Sequence, residues 1–181
     1  MKKLALTDFA KYRYPSALEL SPDGRYLTFA LKEVDREGDG YRWNLWLYDL
    51  ESRESRQITR GDHQRQAVWE DNTHILYKTT EPDEALRARG FEEEWTVYHR
   101  LNVCTGEECE AFRLPMSVSG LWKMDEGRYV FTGETHLDRP NLLELTGEAL
   151  EKELVRRQQT KGYKVLTELP LCENGVGMFN Q

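Results

Sequence analysis

A hairpin pattern recurs along this chain and limits what it can fold into: SPDGRYLTFA at Ser21 to Ala30, WEDNTHILYK at Trp69 to Lys78 and KMDEGRYVFT at Lys123 to Thr132. Each copy sets a turn of Asp, Asn, Glu or Gly between short runs of Val, Ile, Leu, Tyr and Phe, the sequence form of a β-hairpin. Asp23 and Asp71 are 48 residues apart, and Asn72 and Gly127 are 55 apart. Periods of this length belong to propeller blades. A second, offset series strengthens the repeat: NLWLYDLESRESRQIT at Asn44 to Thr59 is echoed by TVYHRLNVCTGEECEAFRL at Thr96 to Leu114, with Asp49 and Asn102 separated by 53 residues. Two hairpins per unit give four antiparallel strands, the content of one blade.

The expected fold class is therefore all-β: a partial β-propeller of about three four-stranded antiparallel blades, with a helical insertion near residues 146–159. The expected divisions are blade one at about 16–63, blade two at about 64–115, blade three at about 116–170 and the start of a further blade at 171–181. A four-stranded blade has two apolar faces and needs a neighbour on each. Terminal blades of a three-blade array would leave one face open, and Leu45, Leu47, Ile58, Val130 and Phe131 are the residues expected there, driving self-association.

Within the units, Ala5 to Tyr14 reads as a short amphipathic entry segment ending at Pro15. Pro22 and Gly24 supply the φ values of the first turn, Tyr26 to Leu31 the return strand, Lys32 to Tyr41 a solvated loop, and Trp43 to Leu50 the next strand. The stretch Glu81 to Glu94 interrupts the strand rhythm, and DEALRARGFEEEW reads as one short helix with Asp83 as cap and Gly90 as stop. Leu145 to Gln159 reads as an amphipathic helix capped by Thr146 and ended by Lys161-Gly162, with Leu150, Leu154 and Val155 on one side. Tyr163 to Leu171 returns to strand character, and Asn174-Gly175 marks a turn.

Charge and composition exclude several functions. A net charge of −7 argues against nucleic acid as a partner, because that binding depends on neutralising phosphates with Lys and Arg. The N-terminal apolar stretch is broken at Asp8 and Lys11, so it does not read as a signal peptide, and no segment has the roughly 18 apolar residues of a membrane span. The expected location is the cytoplasm.

Three cysteines, Cys104, Cys109 and Cys172, make an odd count and do not suggest a disulfide framework. Cys104 and Cys109 flank Thr105 to Glu108, where they would face each other across a hairpin, with reduced thiols the favoured state in a cytosolic protein. No histidine falls at zinc-ligand spacing from them, and no cofactor or metal site is expected. His63, His74, His99 and His136 are scattered and read as structural in the absence of a partner carboxylate. Trp43, Trp46, Trp69, Trp95 and Trp122 fall mostly in strands, where packing between blades is their expected role.

SPDGRYLTFALKEVD with its charged loop and NLWLYDLESRESRQIT, then WTVYHRLNVCTGEECEAF, then YKVLTELPLCENGVGMFN, together resemble the N-terminal propeller of prolyl oligopeptidase family serine peptidases, in the acylaminoacyl-peptidase-like branch. The resemblance runs from about Phe9 to Asn180 in the family's order; Leu171 and Cys172 stand where the family places aromatics. It implies a two-domain enzyme in which the propeller covers a C-terminal α/β-hydrolase domain bearing a Ser-Asp-His triad and admits short peptides. The partners so implied are that hydrolase domain and peptide substrates. Glu92, Glu93 and Glu94 resemble the acidic pair with which dipeptidyl peptidases of the family hold a substrate's free amine; a solvated acidic loop is the other reading.

The chain itself carries no catalytic set. Met116-Ser117-Val118-Ser119-Gly120 comes nearest to a Gly-x-Ser-x-Gly elbow and fails it at Met116. The expected function is a non-catalytic propeller segment that gates peptide access to a cytosolic peptidase. A stand-alone protein-binding or scaffold module is the alternative.

Overall fold

In the computed structural model, residues 6–35, 40–125, 127–136, 139–160, 171–173 and 177–179 are described. The chain divides into two units, Met1–Leu137 and Asp138–Gln181.

The first unit enters through a 3-10 turn, Leu6–Lys11, within the expected entry segment. It then runs as a meander: β1 (Tyr14–Leu20), β2 (Tyr26–Asp35), β3 (Gly40–Asp49) and β4 (Glu54–Gln57) form one four-stranded antiparallel sheet in chain order. β5 (Ala67–Trp69), β6 (His74–Pro82), β7 (Glu94–Asn102) and β8 (Glu108–Leu114) form a second, with the short helix α1 (Glu84–Arg87) between β6 and β7. β9 (Ser117–Asp125) and β10 (Arg128–Glu134) make a third sheet of two strands among the described residues. β1 lies beside β5 and β5 beside β9, so the leading strands of successive sheets are neighbours. This is a partial β-propeller of antiparallel blades.

The turns form as their residues dictate. Ser21 Oγ donates to Asp23 Oδ1 at 2.6 Å and accepts from the Tyr26 N–H at 2.9 Å, while Gly24 takes φ 75°. At the equivalent turn of the second sheet, Asp71 Oδ1 accepts from the backbone N–H groups of Thr73 at 2.7 Å and His74 at 2.8 Å. Short polar side chains that bond their own backbone favour such turns over continued strand.

Register decides which residues are buried. Thr28 faces Leu47 and Ala30 faces Leu45 across β2 and β3, so these four share one side of the first sheet. That side packs on Ala67, Trp69, Ile75, Tyr77, Leu101 and Val103 of the second blade. Leu45 (0% exposed) and Leu47 (3%) are therefore core, contrary to the expectation that they would lie on an open face. Ile58 also packs against this core, whereas Val130 and Phe131 are exposed as expected. The other side of the second sheet carries Leu76 and Tyr98 against Val118 and Leu121 of β9. Trp69 joins the two blades, its indole N–H donating to the Glu19 carbonyl at 3.1 Å.

Two sequence expectations are corrected here. Lys32 to Asp35 and Gly40 to Tyr41 are strand rather than loop, because β2 and β3 pair continuously to Asp35 and Gly40, with Lys32 over the Tyr41 ring at 3.7 Å; residues 36–39 lie outside the described residues. The helix in the insertion is a single turn: Asp83 caps it through the Leu86 N–H at 3.0 Å, Gly90 follows at φ 82°, and Glu94 and Trp95 already pair with Pro82 and Glu81.

The second unit holds a 3-10 turn, Leu142–Glu144, and α2 (Gly147–Gln159), the helical insertion expected there. Leu154 is buried and Val155 exposed; Thr146 is the N-cap residue without a side-chain capping bond. Glu153 binds the guanidinium groups of Arg156 at 2.7 Å and Arg157 at 3.0 Å. β11 (Leu171–Glu173) and β12 (Gly177–Phe179) form a hairpin. Lys161-Gly162, the strand expected over 163–170 and the Asn174-Gly175 turn lie outside the described residues.

Candidate functional site

The acidic run singled out in the sequence sits where α1 gives way to β7. The Asp83 N–H donates to the Glu93 carbonyl at 2.9 Å, closing the insertion at its base. Asp83 also accepts from the Trp95 indole at 3.2 Å; the Leu86 N–H first, then Trp95, hold its carboxyl below the ordinary value. Glu92 and Glu94 are exposed and Glu93 is half-buried, so the run presents carboxylates around a locally pinned backbone rather than on a helix. Arg113 supplies nearby positive charge: its guanidinium lies 5.8 Å from the Trp95 ring centroid, 3.8 Å from Glu81 and 2.5 Å from Glu110.

A second polar group, not foreseen from sequence, lies on β6, β7 and β8. Tyr77 and His99 stand opposite each other and stack with centroids 5.4 Å apart. The Tyr77 hydroxyl donates to Glu108 at 2.6 Å; Glu108 lies 3.4 Å from His99 Nδ1, and His99 Nε2 lies 3.0 Å from the Thr79 hydroxyl. These side chains line one wall of a cleft of about 530 Å³ whose other wall includes Arg56, Thr59 and Gln64. Burial first, then the bond to Glu108, pushes the Tyr77 hydroxyl well above its ordinary pKa. An imidazole between a carboxylate and a hydroxyl has the order of a relay, but Thr79 is a mid-strand residue rather than the tip of a strand-turn-helix elbow. The group ties three strands together at the face the blades share.

A third cluster joins the second and third sheets. Glu70 accepts from Arg100 in a bidentate pair and from the Tyr129 hydroxyl at 2.6 Å, and Lys123 reaches the Glu70 carbonyl. Burial alone would raise the Glu70 carboxyl; the bonds from Arg100 and Tyr129 outweigh it and hold it below its ordinary value. Partial burial likewise opposes ionisation at Asp71, but the N–H groups of Thr73 and His74 prevail and hold it at about 2. The fold thus gives two histidines a carboxylate partner that the sequence did not show, Asp71 for His74 at 2.9 Å and Glu108 for His99. Asp71 and His74 share one turn, three residues apart, whereas Glu108 reaches His99 only through the pairing of β7 with β8, which left no local signal.

Ser119 lies within β9, its hydroxyl 2.8 Å from that of Thr132, consistent with a structural role. Cys104 and Cys109 are exposed and free: Cys109 stands opposite Arg100 on the ladder while Cys104 lies in the turn beyond Asn102, so the hairpin does not bring the two into facing positions.

The ionisation pattern sets the response to pH. Tyr98 is pushed to about 12 by burial, and Tyr129 to about 12 by burial first and then its bond to Glu70. A raised folded-state value adds stability that is full below the ordinary tyrosine value of about 10 and is lost as pH rises through about 12. Absorbance titration should leave Tyr77, Tyr98 and Tyr129 protonated at about pH 11 while the far-ultraviolet dichroism stays native. Simultaneous titration of all the tyrosines near their ordinary value in the folded state would contradict this. On the acid side, Glu70 and Asp71 have lowered values, so their contribution is full above the ordinary carboxylate value of about 4 and is lost as pH falls through the folded-state values, about 2 for Asp71.

Among solved structures, the chain is similar to an acylaminoacyl peptidase from Pyrococcus horikoshii, with a TM-score of 0.52 and 15% identity over 70% of this chain and 18% of that one. It also aligns with the β-propeller domain of the Trilobed protease from Pyrococcus furiosus, with a TM-score of 0.49 and 14% identity over 68% of this chain and 34% of that one. The alignments thus span less than two thirds of either protein. No family model and no curated protein matches the sequence. At these identities the likeness is one of fold. No helix among the described residues is long and apolar enough to cross a membrane.

Proposed function

We propose that the chain is a propeller segment of a cytosolic serine peptidase of the acylaminoacyl-peptidase or oligopeptidase type, which gates peptide access to a C-terminal α/β-hydrolase domain. The observation that carries this reading is the succession of two four-stranded meanders and a third hairpin, with neighbouring leading strands, in a fold shared with part of an acylaminoacyl peptidase. A rigid array of blades over an active site selects by size, because a folded protein cannot pass where an extended peptide can.

In this reading the chain spans blades at about 16–63, 64–115 and 116–170 and the start of another at 171–181, and contributes no nucleophile. Glu92 and Glu94, exposed beside a pinned turn, offer the charge that would hold a peptide's ammonium group, with Glu93 beside them. The test is to follow the reading frame beyond the codon for Gln181 and express its full product. A Gly-x-Ser-x-Gly elbow followed by Asp and His, with labelling by a fluorophosphonate probe in the full product and none in the 181-residue chain, is the expected result. Labelling of the 181-residue chain itself, or a frame with no hydrolase domain, would overturn the reading. The second outcome would favour a propeller-type binding module, the use for which exposed blade faces suit it.

A further inference from the structure

We infer that the loop leading into β5, with the adjoining side of the first sheet, forms a binding site for a small oxyanion, a carboxylate or phosphate group. This inference is independent of the peptidase reading.

The charge pattern points to it. In this acidic chain, several described arginines meet carboxylates, among them Arg13 with Glu33, Arg100 with Glu70, Arg113 with Glu110 and Arg128 with Asp125, whereas Arg42, Arg53, Arg56 and Arg60 have no ion pair among the described residues. Nor, among the described residues, has any of Lys32, Arg65 and Lys78 an ion-pair partner. Lys32 and Arg65 are nonetheless gathered about one ring. The Arg65 guanidinium lies over the Trp43 ring at 4.1 Å, and Lys32 lies 5.4 Å from the centroid of that ring and 3.7 Å from that of Tyr41. The Lys78 ammonium donates to the Val118 carbonyl, and its pKa is lowered by burial first and then by the charge of Arg65. Cations that repel one another, in a protein with surplus carboxylates, are the arrangement a missing anion would relieve.

The backbone that carries Arg65 is fixed in advance. The Trp43 N–H donates to the Asp62 carbonyl at 2.9 Å and the Gln64 N–H to the Trp43 carbonyl at 3.1 Å, lacing the loop to β3. Asp62 is held at φ 63°, a left-handed conformation that costs an aspartate energy and recurs at functional sites. Asn44 donates to the Asp62 carboxylate at 2.9 Å and accepts its N–H at 3.2 Å. Asn44 alternates with Trp43 along β3, so the carboxylate of this loop is engaged on the side away from the Trp43 ring. Arg65 is exposed and lies against the Trp43 ring, which limits its rotamers and leaves its N–H groups for a planar oxyanion.

The test uses the full 181-residue chain, titrated with acetyl-trialanine acid, with the corresponding C-terminal amide and with inorganic phosphate. Binding is read by calorimetry and by the part of the tryptophan fluorescence that Trp43→Phe removes. An oxyanion is expected to bind with Kd below about 1 mM and the amide not to bind; Arg65→Gln should weaken binding about tenfold or more, with melting unchanged. Saturation by the peptide acid alone identifies a peptide carboxylate as the source, and saturation by phosphate alone identifies free phosphate. Should Arg65→Gln alter folding, Lys32→Gln must show the loss instead. Failure of both anions to bind, equal binding of the amide, or affinity untouched in the folded variants overturns the inference.

Discussion

Replacing Leu45 with alanine is expected to destabilise the protein by about 2–5 kcal/mol, and Ile75→Ala by a similar amount. Both side chains are 0% exposed and both lie in the layer where the first two blades meet. The loss has two parts: transfer of the removed methyl and methylene groups to water, and a cavity that neighbours cannot refill. Ala30 and Ala67 are too small to move in, and Trp69 is tethered by its indole bond to Glu19, so little collapse is possible at this site. For a chain of this length each kcal/mol lowers the melting temperature by roughly 2–4 °C, so a fall of about 5–20 °C is expected. Leu50→Ala, at a side chain 44% exposed, is the control and should change stability by less than about 0.5 kcal/mol. If Leu45→Ala and Leu50→Ala melted alike, the two blades would not share a core.

Self-association should depend on the outer face of the third sheet. Trp122 (49% exposed) and Val130 (49%) project together there, because Trp122 stands opposite Val130 on the ladder, and Met124 (67%) is exposed nearby at the irregularity between Lys123 and Asp125. Trp122 also lies over Gly120, where an added Cβ would meet its ring at 2.4 Å, so a flat aromatic surface is presented to solvent. β1 carries Leu18 and Leu20, more than half exposed, on the first sheet. Apolar blade faces without neighbours pair with one another, as does the free edge of β10 among the described strands. Sedimentation at micromolar concentration should therefore show a dimer or larger species for the chain as given. Trp122→Glu together with Val130→Thr should convert it to a monomer of unchanged strand content. A wild-type monomer under the same conditions would refute the idea, and an associated double variant would assign the contact to another surface.

The acid-side and alkaline-side limits of stability have different origins in the same fold. Losing Glu70 ionisation breaks the link between the second and third sheets, whereas ionising Tyr77 or Tyr98 places charge in the layers between sheets. At Glu70 and Tyr77 the cause is burial of a group already paired with a partner, which a change of one charge leaves unsatisfied, whereas at Tyr98 it is burial alone.

The turns were legible in the sequence because their causes are local. Ser21, Asp23 and Gly24 bond or bend their own stretch of backbone, and Asp83 caps its own helical turn, so residue type alone marks them. Strand alternation and the spacing of Asp49 and Asn102 likewise identify two hairpins per unit, since a blade repeats its local chemistry. The open face was only half legible: Val130 is exposed as expected, but Leu45 is buried, and alternation cannot say which side of a sheet receives the neighbour.

What the sequence determined by itself was thus the blade, its turns, the helical insertion and the absence of a nucleophile elbow. Tertiary structure alone decided which residues meet: Glu108 with Tyr77 and His99, Glu70 with Arg100 and Tyr129, and Arg65 with Trp43. The physical reason is separation along the chain. A turn is specified by groups a few residues apart, but these pairs are set by register across strands and by packing between sheets, and a shift of one residue in either would send each partner to the opposite face.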